Sequence, residues 1–179
     1  RDLHSFPTRR SSDLAESLCP EEHAHWLFAV MYLGYNSMLE SGDRYLQSIG
    51  LRRPHFRAIY VIQRKPGATV REILAFLDVT QQSISPVIKT LIADGYITQK
   101  ENLKDRRSRH LYLTDKGLTA CQGVIETQRH HLKQAYQEAG FENAKGYAHT
   151  AYAMMNEKSQ RQLDVIWKDQ TFFLDELKY

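Results

Sequence analysis

Cysteine is nearly missing from this chain: two residues, Cys19 and Cys121, among 179. They lie far apart and lack metal-ligand spacing, so they read as free thiols in a reducing cytoplasm. Long apolar runs are missing too. The longest, W-L-F-A-V-M-Y-L at 26–33, falls well short of the ~20 residues a membrane-spanning helix needs. There is no internal repeat and no low-complexity tract. No G-x-S-x-G, P-loop, paired metal motif or glycine-rich nucleotide loop is found, so catalysis and a bound cofactor are not expected. His23 and His25 flank Ala24 and fall on different helical faces, and the adjacent His130 and His131 are no better placed, so no metal site is expected. Excess charge of one sign is small as well. The formal net charge is +3, too mild to identify a nucleic-acid partner by itself.

The basic surplus is local, and it sits in the stretch that organises the chain, residues 69–114. Thr69 and Glu72 have the T-x-x-E spacing of a capping box at a helix start. Ile73, Leu74, Phe76 and Leu77 follow as an apolar face, and Asp78-Val79-Thr80 reads as a turn. A second helix carries Ile84, Val87, Ile88, Leu91 and Ile92 at helical spacing. Gln82, Ser85 and Lys89 fall opposite, on a short face without acids. Gln can pair with adenine, Ser can serve several bases, and Lys suits phosphate. Pro86 leaves two readings open: a helix that starts late, with Ser83 near its cap, or one that starts at Thr80 and carries the proline inside. Asp94-Gly95 ends this helix.

Residues 96–100 and 110–113 read as two strands joined by E-N-L-K-D-R-R-S-R. Lys100, Lys104, Arg106, Arg107 and Arg109 stand there against only Glu101 and Asp105. A hairpin tip rich in arginine suits the minor groove, where the potential is most negative. Helix, turn, helix and basic hairpin in this order predict a winged helix-turn-helix that grips duplex DNA.

The chain resembles the multiple antibiotic resistance regulator (MarR) family of winged-helix repressors. The resemblance rests on R-K-P-G-A-T-V-R-E-I-L at 64–74, V-T-Q-Q-S-I-S-P-V-I-K-T-L-I-A-D-G-Y-I at 79–97 and D-R-R-S-R-H-L-Y-L-T-D-K-G at 105–117, and covers roughly residues 22–155. It implies a homodimeric repressor on a pseudo-palindromic operator. Thr80, Gln81, Gln82, Ser83, Ser85 and Lys89 would serve the major groove, and Lys104, Arg106, Arg107 and Arg109 the wing. Asp105 would brace the wing by pairing with an arginine, and Arg107 would reach the minor groove. The resemblance also implies a small aromatic or phenolic effector, for which Tyr32, Tyr35, His55, Phe56 and Tyr60 are the candidate pocket residues; a core role is the other reading of each. Two further alternatives are a winged-helix module for protein contacts and a thiol sensor acting through Cys19.

The rest of the chain is expected to be helical. The architecture is mainly α with a small β-wing: a dimerisation helix over 15–51, the winged domain over 52–113, and dimerisation helices over 114–179. Gly42 is expected to interrupt the first helix, and Pro54 to start the next. Thr114-Asp115 should cap a long helix with Leu118, Cys121, Val124, Ile125, Leu132 and Tyr136 inward, broken at Ala139-Gly140. A further helix opens at Phe141, and residues 162–177 are again periodic. Residues 1–14 match, in one frame, the translation of a common sequencing adapter and are set aside from fold reasoning; a basic N-terminal arm is the rival reading.

Overall fold

The computed structural model describes residues 21–101 and 109–167. The chain divides into two compact units, residues 1–39 and 40–179. Seven helices and one two-stranded antiparallel sheet are found among the described residues. They are α1 (Glu21–Ser48), α2 (Arg53–Arg64), α3 (Val70–Leu77), α4 (Gln81–Ala93), β1 (Ile97–Glu101), β2 (Arg109–Leu113), α5 (Asp115–Ala139), α6 (Phe141–Ala153) and α7 (Glu157–Trp167).

The first unit holds the opening turns of α1. Glu21 and Glu22 occupy the first turn, where the helix dipole favours acids. Large apolar side chains stay uncovered along this segment: Trp26 is 67% and Phe28 72% exposed. Phe28 and Tyr32, one turn apart, stack with ring centroids 6.3 Å apart.

In the second unit, α1 ends in a Schellman motif. Gly50 takes a positive φ of 76°. Its N–H donates to the Gln47 carbonyl at 3.2 Å, and the Leu51 N–H donates to the Leu46 carbonyl at 2.8 Å. Leu46 and Leu51 are both buried in the core, so the cap fixes the exit of the chain and closes an apolar contact together. Gly42 does not interrupt α1. It is buried inside the helix, where an added Cβ would stand 2.9 Å from Val124 Cγ1 on α5. The glycine allows close helix contact, a purpose that only the neighbour reveals.

Leu51, Ile59, Ile62, Ile73, Leu91, Leu111 and Val124 form the centre of the core. Every element from the end of α1 to α5 contributes, so the small wing and the three short helices share one interior. Pro54 lies in the first turn of α2, where a missing N–H is tolerated. Asp43 receives Arg53 Nε at 2.9 and 2.7 Å and tethers the α2 start to α1. The sheet also has a partner outside the hairpin. Gly67 N–H donates to the Leu111 carbonyl at 2.9 Å, and Leu111 N–H to the Ala68 carbonyl at 3.0 Å, so the segment before α3 forms a bridge to β2.

The long helix α5 starts as expected, with Thr114 as N-cap. Its inward stripe is only half covered. Cys121 and Val124 are buried, whereas Leu118, Leu132 and Tyr136 remain exposed. The last helix begins earlier than the 162–177 periodicity suggested, at Glu157, and the rest of that stretch lies outside the described residues.

The capping box at Thr69 is present in full. Glu72 N–H donates to Thr69 Oγ1 at 3.3 Å, and Thr69 N–H donates to Glu72 Oε2 at 2.8 Å. The ammonium of Lys65, and after it the Thr69 N–H, hold the Glu72 carboxyl down at about 2. A carboxyl depressed on folding adds stability above its ordinary value near 4.5 and loses it as pH falls toward the folded value. Glu72→Gln keeps an acceptor for the box and removes the charge. Its melting temperature is therefore expected to lie below the native one at neutral pH. The gap should narrow steadily as the solution is acidified through the carboxylate range. The effect is modest because both partners are more than 40% exposed. A gap that does not change with pH would contradict the ion-pair account.

Candidate nucleic-acid interface

Two helices and a turn build the candidate surface, and each junction has a physical fastening. Helix α3 ends at Asp78, whose φ of 53° and ψ of 50° place a non-glycine residue in the left-handed region. Aspartate tolerates this conformation better than most residues. Arg57 from α2 donates through Nη2 to the Leu77 carbonyl at 3.1 Å and satisfies one of the helix's last acceptors. On the other side of the turn, Thr80 caps α4. Its Oγ1 accepts the Ser83 N–H at 3.3 Å, while Ser83 Oγ donates to the Thr80 carbonyl at 2.8 Å.

This cap decides between the two readings of Pro86. Helix α4 is capped by Thr80, runs from Gln81 and carries the proline inside it. The late start is excluded because Gln81 and Gln82 are already helical. An interior proline costs about 3 kcal/mol in a helix, since it removes the bond that an N–H at 86 would give the Gln82 carbonyl.

At its other end α4 closes with a second Schellman motif. Gly95, with φ 74°, donates to Ile92 O at 3.1 Å, and Tyr96 N–H donates to Leu91 O at 2.8 Å. Lys116 Nζ adds a bond to the Asp94 carbonyl at 2.8 Å and lies over the Tyr96 ring at 4.3 Å.

Ile84, Val87, Ile88 and Leu91 are buried, which turns the opposite strip outward. That strip is Gln82, Pro86 and Lys89, all exposed at spacings of four and three. Gln81 and Ser83 are exposed beside it, and Ser85 is half-buried on its flank. The expected trio of Gln82, Ser85 and Lys89 is thus modified, with Pro86 and not Ser85 on its central line.

The hairpin pairs Ile97 with Leu113 through Glu101 with Arg109. Arg109 Nη1 donates to Gln99 Oε1 at 3.1 Å. Lys100 Nζ lies 4.9 Å from the centre of the Tyr112 ring. Lys104, Asp105, Arg106 and Arg107 lie outside the described residues. The base of the wing is locked to both helices by Thr114. Its Oγ1 donates to the Gly95 carbonyl at 2.7 Å and accepts the Gly117 N–H at 3.2 Å.

The five candidate effector residues divide between the units. Tyr32 and Tyr35 belong to the first, and both are exposed. In the second, Phe56 and Tyr60 pack with centroids 5.9 Å apart. With Phe76, Leu77, Lys158 and Gln162 they line a cleft of about 480 Å³. His55 is engaged at the start of α2, where its Nδ1 accepts the Arg52 N–H at 3.0 Å, and burial lowers its pKa. Cys121 is buried, its thiol pushed up to about 11 by desolvation, and it faces Gln63 Oε1 at 3.2 Å. A thiol held protonated in this way is a poor nucleophile. Cys19 lies outside the described residues. Among the described residues, no cluster of three or more His, Cys, Asp or Glu could hold a metal, and no helix is long and apolar enough to cross a membrane.

Comparison with known proteins gives this geometry a family. The family model described as "MarR family" matches residues 49–108, from the end of α1 to the wing. The HTH-type transcriptional regulator PetP of Rhodobacter capsulatus is 35% identical over 137 residues, which cover 76% of this chain and 82% of PetP. The chain belongs to the MarR family. Solved MarR-family structures share the fold at much lower identity. A MarR family transcription regulator superposes with a TM-score of 0.70 at 16% identity, covering 87% of this chain and 99% of that one. A mutant of MarR from Escherichia coli, complexed with operator DNA, superposes with a TM-score of 0.61 at 14% identity, covering 73% and 94%. The three motifs thus fall on the junction of α2 and α3, on the turn with α4 and the start of β1, and, within the described residues, on β2 and the start of α5. Arg57 and Lys116 fasten this surface through bonds to the Leu77 and Asp94 carbonyls. For the two cations nothing local marks them, because their acceptors are carbonyls 20 and 22 positions away.

Proposed function

We propose that this MarR-family chain is a homodimeric, sequence-specific DNA-binding repressor. The observation that carries the reading is the outward strip of α4, capped at both ends and followed directly by a basic hairpin. Gln82 and Lys89 would enter the major groove, with Gln81, Ser83 and Ser85 at its edges and Thr80 holding the helix start. Arg109 and Lys104, Arg106 and Arg107 would follow the backbone and minor groove, with Asp105 bracing them. The uncovered apolar surface supports pairing of two copies. Trp26, Phe28 and Leu33 on α1 in the first unit, and separately Phe141 and Tyr147 on α6 in the second, are all more than half exposed, apolar surface that a second copy could cover. Two copies would set two α4 helices about 34 Å apart on one face of a duplex. The cleft at Phe56 and Tyr60 has room for a small aromatic effector, whose binding would be linked to operator affinity.

A salt titration of duplex affinity tests the DNA reading. Each phosphate neutralised by Lys or Arg releases counterions and contributes a slope of about −0.9 in log K against log salt. A steep negative slope is expected, together with a higher melting temperature when a suitable aromatic effector is present. Duplex affinity that is absent at low salt would favour a module for protein contacts instead.

A further inference from the structure

Pro86 has no part in the functions assigned so far, yet it occupies the centre of the outward strip of α4. It is exposed, one turn beyond Gln82 and one turn before Lys89, with Ile84, Val87 and Ile88 buried behind it. A proline inside a helix is disfavoured because it removes a hydrogen bond and crowds the preceding turn, and neither the core nor the cap uses this one. Its ring offers neither a donor nor an acceptor, so it cannot read a hydrogen-bonding edge. What it does offer is a short, rigid apolar surface that loses no side-chain freedom when it is covered. The major groove presents one apolar group at base edges, the 5-methyl of thymine.

We infer that Pro86 is a specificity-determining residue that selects a thymine by packing its ring against the 5-methyl group, in register between the contacts of Gln82 and Lys89. The inference rests on the reading of α4 as the groove-entering helix. It adds a base preference that hydrogen bonding alone would not give, since removing the methyl leaves the pairing edge of the base intact.

The test uses the full chain and a duplex selected by it from a random pool. Each thymine of that duplex is replaced singly by deoxyuridine, which removes only the methyl. One position in each half-site is expected to weaken native binding about fourfold, the worth of one buried methyl group. Pro86→Ala should bind the unmodified duplex more weakly by about the same factor and become indifferent to deoxyuridine at that position. Pro86→Val restores the N–H while keeping a branched apolar surface, so it should retain the sensitivity. The proposal is overturned if native protein ignores every thymine replacement, if Pro86→Ala stays sensitive, or if Pro86→Val loses the sensitivity as Pro86→Ala does. Gln82→Ala and Lys89→Ala separate this failure from failure of the DNA reading. If they weaken binding while all methyl groups prove irrelevant, only the role of Pro86 falls. If they too are without effect, or no duplex is enriched, α4 is not the reading helix and both fall.

Discussion

Gly117→Ala lowers the melting temperature by about 6–12 °C, corresponding to a loss of about 3 kcal/mol in a chain of this size. The cause is a clash with backbone. A Cβ at 117 would stand 2.1 Å from the Tyr96 carbonyl oxygen, 3.2 Å from its carbon and 3.4 Å from Leu113 Cβ. That carbonyl cannot move freely. It accepts the Thr114 N–H at 3.1 Å, and Tyr96 itself is pinned by the Schellman bond to Leu91. Moving it would unlock the end of α4, the base of the wing and the start of α5 at once. The alanine would bring better helix propensity, but by only about 0.5–1 kcal/mol.

Gly123→Ala is the informative comparison. Its Cβ would meet the Tyr45 ring at 2.1 Å, as close as the contact at 117. A half-buried side chain can rotate where a bonded carbonyl cannot, so the loss there is expected to be smaller. Thermal unfolding of both variants, followed by circular dichroism, decides the matter. A Gly117→Ala protein as stable as Gly123→Ala, or as the native chain, would show that the junction is looser than its hydrogen bonds imply.

Arg107→Ala and Gln82→Ala are expected to damage DNA binding in different ways. On the proposed reading the wing arginine would contribute charge near phosphates, so its loss should weaken binding about tenfold on all duplexes and flatten the salt slope by about 1. The glutamine would, on the same reading, contact a base edge, worth roughly 1–3 kcal/mol of discrimination. Its loss should leave the salt slope unchanged and relax the preference at one base position in each half-site. Affinity measured for both variants across salt, on the selected duplex and on its single-base variants, separates the two signatures. Two variants with the same slope and the same base preferences would mean that the roles have been assigned wrongly.

Much of this surface is legible in the sequence because its determinants are local. The Thr69–Glu72 box needs residues three apart, and the buried stripe of α4 needs only helical spacing. The left-handed residue that ends α4 is announced by Asp94-Gly95. What is not legible depends on neighbours distant in the chain. Gly42 reads locally as a weak point in a helix, and only Val124 across the contact shows why a side chain is absent there. Pro86 is compatible with two helix starts until the Thr80 cap is seen. Once the start is fixed, the proline moves onto the outward strip and Ser85 to its flank. Ala68 gives no strand signal of its own, because its bridge to Leu111 joins positions on either side of the helix-turn-helix. The half-covered stripe of α5 has the same origin: periodicity marks an apolar face without saying what covers it.

The measurement closest to the central claim is a hydroxyl-radical footprint of the full chain on the intergenic DNA beside its own gene, at low salt. Two copies presenting α4 and the wing predict protection in two symmetric blocks about one helical turn apart, over a pseudo-palindrome, and loss of both blocks together as salt is raised. An unprotected duplex from a chain that is folded and dimeric, confirmed on duplexes selected from a random pool, would contradict the claim and move the basic hairpin to another partner.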